Sequence, residues 1–220
     1  LIPNASQQHY CEKIAYLPYS YQVNDAKRCI ADKVFTREEL GLPTTGFVFC
    51  CFNNNYKITP TTFDGWMRIL KHVDGSVLWL FEDNPKAARN LVKEAVQRGV
   101  DAARLIFAKR MPLAEHLARH RLADLFIDTL PYNAHTTASD ALWVGLPVLT
   151  CAGEAFASRV AASLLNAIDL PELITETQED FEARAIELAT HPERLREIKQ
   201  KLTKNRLTSP LFDTQLFTQH

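Results

Sequence analysis

The amino-acid sequence predicts an α/β domain whose core is a doubly wound parallel sheet, and three observations lead to this prediction. Short apolar segments that favour β-structure alternate with segments of helical periodicity through the middle of the chain. The strand segments are apolar throughout rather than at every second position, as is typical of strands covered on both faces. Each of them is followed by an amphipathic helix, which is the pattern of a doubly wound sheet.

Each strand prediction rests on a β-rich apolar run that ends where a helical pattern begins. The first run reads FVFCCF, the second SVLWLF and the fourth DLFID. The five predicted strands cover Phe47–Phe52, Ser76–Phe81, Arg104–Ala108, Asp124–Asp128 and Pro147–Thr150.

The segments between the strands carry helix signals. The first helix, predicted over Pro60–Val73, has Thr59 as its N-cap and Pro60 at its first position, where a missing N–H costs nothing. The second spans about Pro85–Arg98 and stops at Gly99, a fitting residue after a helix end. Three more helices are predicted at Pro112–His120, His135–Trp143 and about Phe156–Ala167.

The two ends of the chain do not share this alternation. We interpret residues 1–45, which contain an isolated strand-like run at Lys13–Leu17, as a connector that enters the domain. Residues 46–176 form the α/β domain, and residues 177–220 follow it. The last part is predicted as two charged amphipathic helices and an irregular tail, at Thr177–His191, Pro192–Arg206 and Leu207–His220.

Composition and charge exclude several classes of protein. The 220 residues include 25 Lys and Arg against 26 Asp and Glu, which leaves a formal net charge of −1. Binders of nucleic acid or membrane surfaces usually carry a basic excess, so we expect neither as a partner. No apolar stretch approaches the roughly 20 residues that span a bilayer, which excludes a transmembrane protein.

The cysteines and the first residue bear on the compartment and on completeness. There are five cysteines, an odd number; Cys50 and Cys51 are adjacent, and no C-x-x-C pair occurs. Reduced thiols in a cytoplasmic protein are therefore favoured over a disulfide framework or a zinc site. The chain begins at Leu1 rather than Met and has no signal peptide, so we expect a piece of a longer protein.

Two polar loops are candidates for a binding site, because ligands of doubly wound sheets bind at the carboxyl ends of the strands. The loop Asn53–Pro60 follows the first strand and places three amides and Lys57 before a helix. The loop Asp128–Asp140 follows the fourth strand.

The second of these loops carries a helix start. His135, Thr136 and Thr137 would form its first turn, with free backbone N–H groups and two hydroxyls. A helix N-terminus carries about half a positive charge and seats phosphate readily, and Lys57 could face the same anion.

Simpler interpretations stay open at this point. Asparagines before a helix are most often caps and turns, and helices that open with two threonines are common. His116 and His120 are spaced like a metal-binding pair, but without a third ligand nearby they are expected on a solvated helix face. No G-x-G-x-x-G or G-x-x-x-x-G-K-[ST] motif occurs. The residues alone therefore indicate an α/β domain that binds a phosphorylated ligand.

The same loops carry a family pattern. The runs FCCFNNNYKITP, SVLWLFEDNP, HTTASDALWVGLPVLT and GEAFASRVAASLL closely resemble the C-terminal catalytic lobe of O-linked N-acetylglucosamine transferases, the SPINDLY-like family. The bacterial members with tetratricopeptide repeats are the most similar. The resemblance extends from about Glu12 to Thr214.

This resemblance implies a Rossmann-like C-terminal lobe of a two-lobed GT-B glycosyltransferase, with residues 46–176 as its nucleotide-sugar-binding domain. The donor would be UDP-N-acetylglucosamine and the acceptor a Ser or Thr hydroxyl of a protein. An N-terminal lobe and tetratricopeptide repeats of the same chain would complete the enzyme. The resemblance implies no metal and no cofactor besides the donor substrate, and the chain contains no D-x-D motif.

The resemblance also implies residues for the phosphate side of the donor. Lys57 matches the catalytic lysine that contacts the diphosphate, and His135, Thr136 and Thr137 match the residues that seat the phosphates. Asn54 stands where animal enzymes have a glutamine near the nucleotide.

Four further positions match the nucleoside side. His116 is similar to the histidine that stacks on uracil, and Arg119 to the arginine one turn further on. Met111 matches a position whose backbone reads the uracil edge, and Asp140 matches the carboxylate that holds the ribose hydroxyls. Leu113 departs from the pattern, because animal enzymes place a lysine there against the nucleotide.

Two alternatives to this function stay open. Relatives of the family use GDP-fucose or UDP-glucose, and the choice of base would be made around Met111–His116. The chain could also be a non-catalytic nucleotide-binding or scaffold module. Lys57, His135 and Asp140 argue against that alternative, since a pure scaffold needs none of them.

Overall fold

A computed structural model describes residues 1–220, and its centre is a six-stranded sheet in which every neighbouring pair of strands is parallel. The strand order is β3-β2-β1-β4-β5-β6. The order reverses between β1 and β4, which makes a switch point at the carboxyl ends of these two strands. The strands are β1 (Val48–Cys51), β2 (Val77–Phe81), β3 (Leu105–Ala108), β4 (Leu125–Ile127), β5 (Val148–Cys151) and β6 (Ile174–Thr175).

The predicted doubly wound sheet is confirmed, and all five predicted strands are present to within one residue at each end. The fully apolar runs are explained by burial on both faces: every residue of β1, β4 and β5 is buried. The sixth strand was not predicted. It is only two residues long and pairs with the edge of the sheet along β5, so it leaves no pattern in the sequence.

The seven predicted helices are also present. Their signals operate as expected: the Thr59 side chain accepts a hydrogen bond from the Thr62 N–H, and Pro60 occupies the first turn. The helices are α1 (Pro60–His72), α2 (Pro85–Gln97), α3 (Leu113–Arg119), α4 (Thr136–Val144), α5 (Val160–Ala167), α6 (Gln178–Thr190), α7 (Pro192–Asn205) and a further short helix, α8 (Thr214–Gln219).

Three local predictions were wrong. The run Lys13–Leu17 is not a strand. It has no neighbouring strand to pair with, since the sheet ends at β3 and β6. Residues 156–158 form a 3₁₀ turn, and α5 starts only at Val160. The tail is not wholly irregular, because Asp213 caps α8 by accepting a hydrogen bond from the Leu216 N–H.

One continuous apolar core joins the sheet to the helices on both of its faces. Trp66 of α1 and Trp79 of β2 are at most 1% exposed. Phe181 of α6 and Leu202 of α7 belong to the same core. None of the helices combines the length and the apolar composition that a bilayer crossing requires.

The first 45 residues form almost no regular structure but are hydrogen-bonded to the domain. Asn24 is buried, donates from Nδ2 to the Leu211 carbonyl and accepts at its own carbonyl from the Thr214 hydroxyl. The Ala31 N–H donates to the Ala114 carbonyl. The connector therefore packs against the C-terminal tail and against α3, and it does not extend away from the domain. The division at residues 45 and 176 stays a prediction.

Candidate functional site

The candidate site lies at the switch point, where the loops after β1 and β4 face each other. Side-chain hydrogen bonds join the two loops directly. Asn53 donates from Nδ2 to the Thr129 hydroxyl over 2.7 Å, and the Lys57 ammonium donates to the Asn133 carbonyl over 2.9 Å. The two loops that the sequence singled out therefore form one polar surface.

A buried carboxylate organises this surface. Asp128, which is 3% exposed, accepts hydrogen bonds at Oδ1 from the backbone N–H groups of Thr129 and Ala134 over 2.7 and 2.6 Å. Oδ2 accepts from the Thr150 hydroxyl over 2.7 Å. Burial raises the pKa of Asp128 to about 6, although these hydrogen bonds and the charge of Lys57 favour its ionised form. Sequence reasoning had not assigned Asp128 a role, although it directly follows a buried strand.

Lys57 lies at the mouth of this network. Its Nζ is 3.9 Å from the centre of the Tyr132 ring and donates to the Asn133 carbonyl. Burial lowers the pKa of Lys57, and the negative charge of Asp128 opposes that shift. The ammonium is thus half removed from water and bound to a neutral acceptor, which an incoming anion could replace.

The N-terminus of α4 lies beside Lys57. The N–H groups in the first turn of any helix lack an intrahelical acceptor. No side chain caps α4, so its first N–H groups have no capping acceptor either. Thr137 donates from its hydroxyl to Asn53 Oδ1 over 2.5 Å, while Thr136 is exposed. The first turn therefore offers unpaired donors and a partial positive charge at the edge of the site.

His135 precedes that turn and is held from two sides. Its Nδ1 is 3.2 Å from the Tyr21 hydroxyl, and its Nε2 is 3.4 Å from the Ala157 carbonyl oxygen. Burial lowers the pKa of His135, and the charge of Lys57 acts in the same direction. The hydrogen bond to the Ala157 carbonyl opposes that shift. The connector supplies the other partner of the imidazole, the Tyr21 hydroxyl.

A second part of the site is aromatic. His116 is half-buried, with its ring centre 5.2 Å from that of Phe52 and 4.7 Å from that of His120. The prediction of a solvated face for His116 and His120 was wrong, because α3 packs that face against Phe52 and leaves His120 fully buried. Burial is the main cause that lowers the pKa of His116 to about 2 and of His120 to about 4.

Arg119 lies beneath this aromatic surface. It is 1% exposed, lies over the rings of Phe52 and Trp79, and donates to the Lys109 carbonyl over 2.6 Å. Burial lowers its pKa to about 10. In this structure Arg119 therefore fixes the loop that leads to Met111.

The three asparagines after β1 behave differently from one another. Asn53 is buried in the network that joins the loops, and Asn55 bonds to the Phe81 carbonyl and to Asp83. Asn54 is exposed and precedes a short 3₁₀ turn without capping it. The interpretation as turn residues thus fits Asn55, while the Asn54 amide is free to meet a ligand.

Asp140 lies on α4, one turn beyond Thr136. It forms an ion pair with Arg28, a connector residue that sequence reasoning did not single out. Burial raises the pKa of Asp140, and the charge of Arg28 and its hydrogen bond oppose the shift. No periodic pattern could have revealed this contact, since the partners are 112 positions apart.

The side chains that commonly bind metals do not gather in this fold. No group of three or more His, Cys, Asp or Glu residues has the arrangement that a metal ion requires. His116 and His120 contact each other through an edge-to-face ring pair, and His120 Nδ1 is 2.7 Å from the His116 carbonyl oxygen. The two histidines therefore contact each other and do not form a metal-binding group with further ligands.

The fold and the site together define a class, the Rossmann-like α/β lobes with a polar site at the topological switch point. Within it, the chain belongs to glycosyl transferase family 41, whose sequence pattern matches residues 31–220. It has the architecture of the C-terminal lobe of a GT-B glycosyltransferase.

Two relatives illustrate the similarity in sequence. The chain is 38% identical over 211 residues to a protein of Arabidopsis thaliana named as a probable UDP-N-acetylglucosamine–peptide N-acetylglucosaminyltransferase, SEC, and this match covers 93% of the chain and 22% of the relative. It is also 38% identical over 182 residues to a UDP-N-acetylglucosamine–peptide N-acetylglucosaminyltransferase of Caenorhabditis elegans, covering 83% of the chain and 16% of the relative. The chain thus spans about a fifth of the length of these relatives.

Solved structures give the same picture. A mutant O-GlcNAc transferase of Thermobaculum terrenum superposes with a TM-score of 0.80 at 29% identity, over 99% of this chain and 42% of that one. A sucrose-phosphate synthase of Thermosynechococcus elongatus superposes with a TM-score of 0.66 over 98% of this chain and 53% of that one. At 14% identity, the second similarity shows the fold alone.

The buried Asp128 carboxylate leads to a prediction about stability and pH. Its pKa is raised from 3.8 to about 6, so the folded state holds more protons than the unfolded state between these values. Its contribution to stability therefore falls as pH rises through that window, by roughly 3 kcal/mol. Asp128→Asn keeps an oxygen for the backbone donors and cannot titrate, so this fall should be absent.

Urea unfolding of the wild type and of Asp128→Asn at pH 4, 5, 6 and 7 measures the effect. The exposed Asp32→Asn variant is the control and should follow the wild type. Identical pH profiles for the wild type and Asp128→Asn would contradict the role given to this carboxylate.

Proposed function

We propose that this chain is the donor-binding lobe of a protein O-glycosyltransferase that moves N-acetylglucosamine from UDP-N-acetylglucosamine to Ser or Thr hydroxyls. One observation carries the proposal: an ammonium and an uncapped helix N-terminus, at Lys57 and Thr136, lie side by side at the switch point. The names of the family 41 relatives, which act on UDP-N-acetylglucosamine and peptides, supply the donor and the acceptor class.

During transfer of the sugar, negative charge develops on the diphosphate, and the site must stabilise it. As the acceptor hydroxyl oxygen bonds to the anomeric carbon, the bond from that carbon to the β-phosphate oxygen breaks and its electron pair leaves with UDP. The hydroxyl proton is released to solvent or to the departing phosphate. Lys57 would exchange the neutral Asn133 carbonyl for phosphate oxygens and stabilise this developing charge. The N–H groups of Thr136 and Thr137 would also donate hydrogen bonds to the phosphate oxygens. Because these groups supply positive charge, we propose a transfer without a metal ion.

The nucleoside would occupy the aromatic side. We propose that uracil stacks on His116, whose ring is already supported from behind by Phe52 and His120. The backbone at Met111, held through Arg119 and the Lys109 carbonyl, would read the edge of the base. Asp140 would accept hydrogen bonds from the ribose hydroxyls, and Asn54 and His135 would line the phosphate side.

A different donor in the same site is the second candidate. Leu113 is 55% exposed at the start of α3, where its side chain offers a nucleotide apolar contact but no charge. That observation favours a donor other than UDP-N-acetylglucosamine, such as GDP-fucose or UDP-glucose. Calorimetric titration with UDP, GDP, UDP-N-acetylglucosamine, UDP-glucose and GDP-fucose distinguishes these donors. Tight binding of the guanine nucleotides alone, or tighter binding of UDP-glucose than of UDP-N-acetylglucosamine, would replace our proposal by this one.

The rest of the enzyme is also part of the proposal. Since the relatives are about five times longer, we propose that an N-terminal lobe and tetratricopeptide repeats accompany this chain. Residues 1–45 would connect that lobe to residues 46–176, the nucleotide-sugar-binding domain, which residues 177–220 complete. A protein with Ser or Thr acceptors would be the partner. We also propose a cytoplasmic location, which the five free cysteines support.

Lys57→Ala tests the phosphate contact. A charge-assisted hydrogen bond contributes about 1.5–3 kcal/mol, so affinity for UDP should fall about tenfold or more. Turnover in the full-length enzyme should fall further, because the contact strengthens in the transition state. Lys93→Ala removes an exposed lysine on α2 and should change neither quantity. Unchanged turnover in Lys57→Ala would contradict the assignment.

His116 variants separate stacking from protonation. His116→Ala should weaken UDP binding, whereas His116→Phe should keep most of it, because stacking needs a flat ring rather than a proton. With the pKa of His116 lowered to about 2, this residue should add no titration to UDP affinity between about pH 5 and 8. Wild-type affinity in both variants would show that the base binds elsewhere.

The isolated chain should bind UDP weakly and transfer no sugar. A GT-B active site lies between two lobes, and the second lobe closes over the donor and brings the acceptor groups. A mass-spectrometric transfer assay on a Ser/Thr peptide would compare the 220-residue chain with the full-length enzyme. Robust transfer by the chain alone would show that all catalytic groups lie within it.

A further inference from the structure

Arg28 reaches from the connector to helix α4, where it makes its long-range hydrogen bonds and its ion pair. Its NH1 forms the ion pair with Asp140, and its NH2 donates to the Ser139 hydroxyl over 3.2 Å. The Trp143 indole N–H donates to the Arg28 carbonyl over 3.1 Å, and the guanidinium lies 5.8 Å from the Trp143 ring centre. Both the backbone and the side chain of Arg28 are therefore tied to one face of α4.

The chain before Arg28 is anchored as well. Asn24 is 4% exposed, and its Oδ1 accepts from the Ser139 hydroxyl over 2.6 Å. The same Oδ1 accepts from Gln22 Nε2 over 3.0 Å, while Asn24 Nδ2 donates to the Leu211 carbonyl. Ser139 thus links Asn24 and Arg28 to the helix. The guanidinium is not a mobile surface group, since the side chains of Arg28 and Asp140 are each only 14% exposed.

The ion pair uses only half of the Asp140 carboxylate. Arg28 contacts Oδ1, whereas Oδ2 has no hydrogen-bond partner in the protein and is not fully buried. Asp140 follows Thr136 by four positions, so it lies on the same face of α4 as the uncapped first turn. A ligand whose phosphates sit at that first turn could extend along this face to Asp140.

Burial disfavours the ionised form of this carboxylate, and Arg28 opposes that effect. Burial raises the pKa of Asp140, and the charge and hydrogen bond of Arg28 favour the ionised form. A carboxylate that is paired with a guanidinium at one oxygen is a strong acceptor at the other. Vicinal hydroxyls are the matching donors, and a ribose carries such a pair.

We propose that Arg28 is a positioning residue of the donor site, which fixes Asp140 so that its free oxygen accepts from the ribose hydroxyls of the donor nucleotide. The inference rests on the proposed function, in which the donor is a nucleotide sugar. It also makes the connector part of the site: residues 22–28 hold a binding group in place from outside the α/β domain.

A comparison of two nucleotides tests this role. Calorimetry on the full-length protein gives the Kd of UDP and of 2′,3′-dideoxy-UDP, which lacks both ribose hydroxyls, for the wild type, Arg28→Gln, Asp140→Asn and the double variant. Lys27→Gln is the matched control, because it removes a neighbouring exposed charge that does not touch Asp140. Thermal unfolding of each variant reports on the fold.

The expected pattern is selective. The wild type should bind UDP about tenfold or more tightly than dideoxy-UDP, as a charge-assisted hydrogen bond implies. Arg28→Gln should lose most of that preference while its affinity for dideoxy-UDP stays the same. The double variant should be no weaker than Asp140→Asn, because Arg28 acts through Asp140. Lys27→Gln should behave as the wild type.

Three results would overturn the inference. Equal losses for both nucleotides in Arg28→Gln would mean that Arg28 only supports the fold. Tighter UDP binding in Arg28→Gln would mean that Arg28 competes with the ribose for Asp140. A wild type that binds both nucleotides equally would remove the ribose contact but leave the proposed function intact. A wild type that binds neither would overturn the proposed function itself.

Discussion

The arrangement of the site depends on the buried carboxylate of Asp128. At the switch point, two loops from different halves of the sheet end side by side, and their polar groups need partners inside the fold. Asp128 accepts from two backbone N–H groups of its own loop and from Thr150 of β5, and Asn53 joins the opposite loop to it. The cost is visible in its pKa, which burial raises to about 6.

This network explains why the positive groups lie where they do. With its loop fixed, Asn133 presents a carbonyl to Lys57, and Ala134 leads directly into the uncapped helix α4. Arg28 then fixes Asp140 further along the same helix from the connector. The result is a surface with one partly desolvated cation, one helix N-terminus and one half-used carboxylate, which suits a nucleoside diphosphate. The aromatic surface at His116, Phe52 and His120 adjoins it and is where we propose that the base binds.

The sequence allowed much of this to be predicted, because the signals are local. Continuous apolar runs mark the buried strands, and Thr59 with Pro60 marks a helix start. The polar loops at Lys57 and Thr136 could be selected because each directly follows a predicted strand, where ligands of such sheets bind. Contacts between distant segments leave no such signal: Arg28 and Asp140 are 112 positions apart, in a connector without periodicity. The burial of His120 depends on how α3 packs against Phe52, which the spacing of His116 and His120 does not indicate.

A crystal structure with UDP bound tests the central claim most directly. The account predicts that the diphosphate lies at the N-terminus of α4 and accepts hydrogen bonds from the N–H groups of Thr136 and Thr137. The Lys57 ammonium should also donate to the diphosphate and no longer to the Asn133 carbonyl. Asp128 should keep its internal hydrogen bonds in that complex. A diphosphate bound elsewhere, with Lys57 still donating to Asn133, would contradict the account.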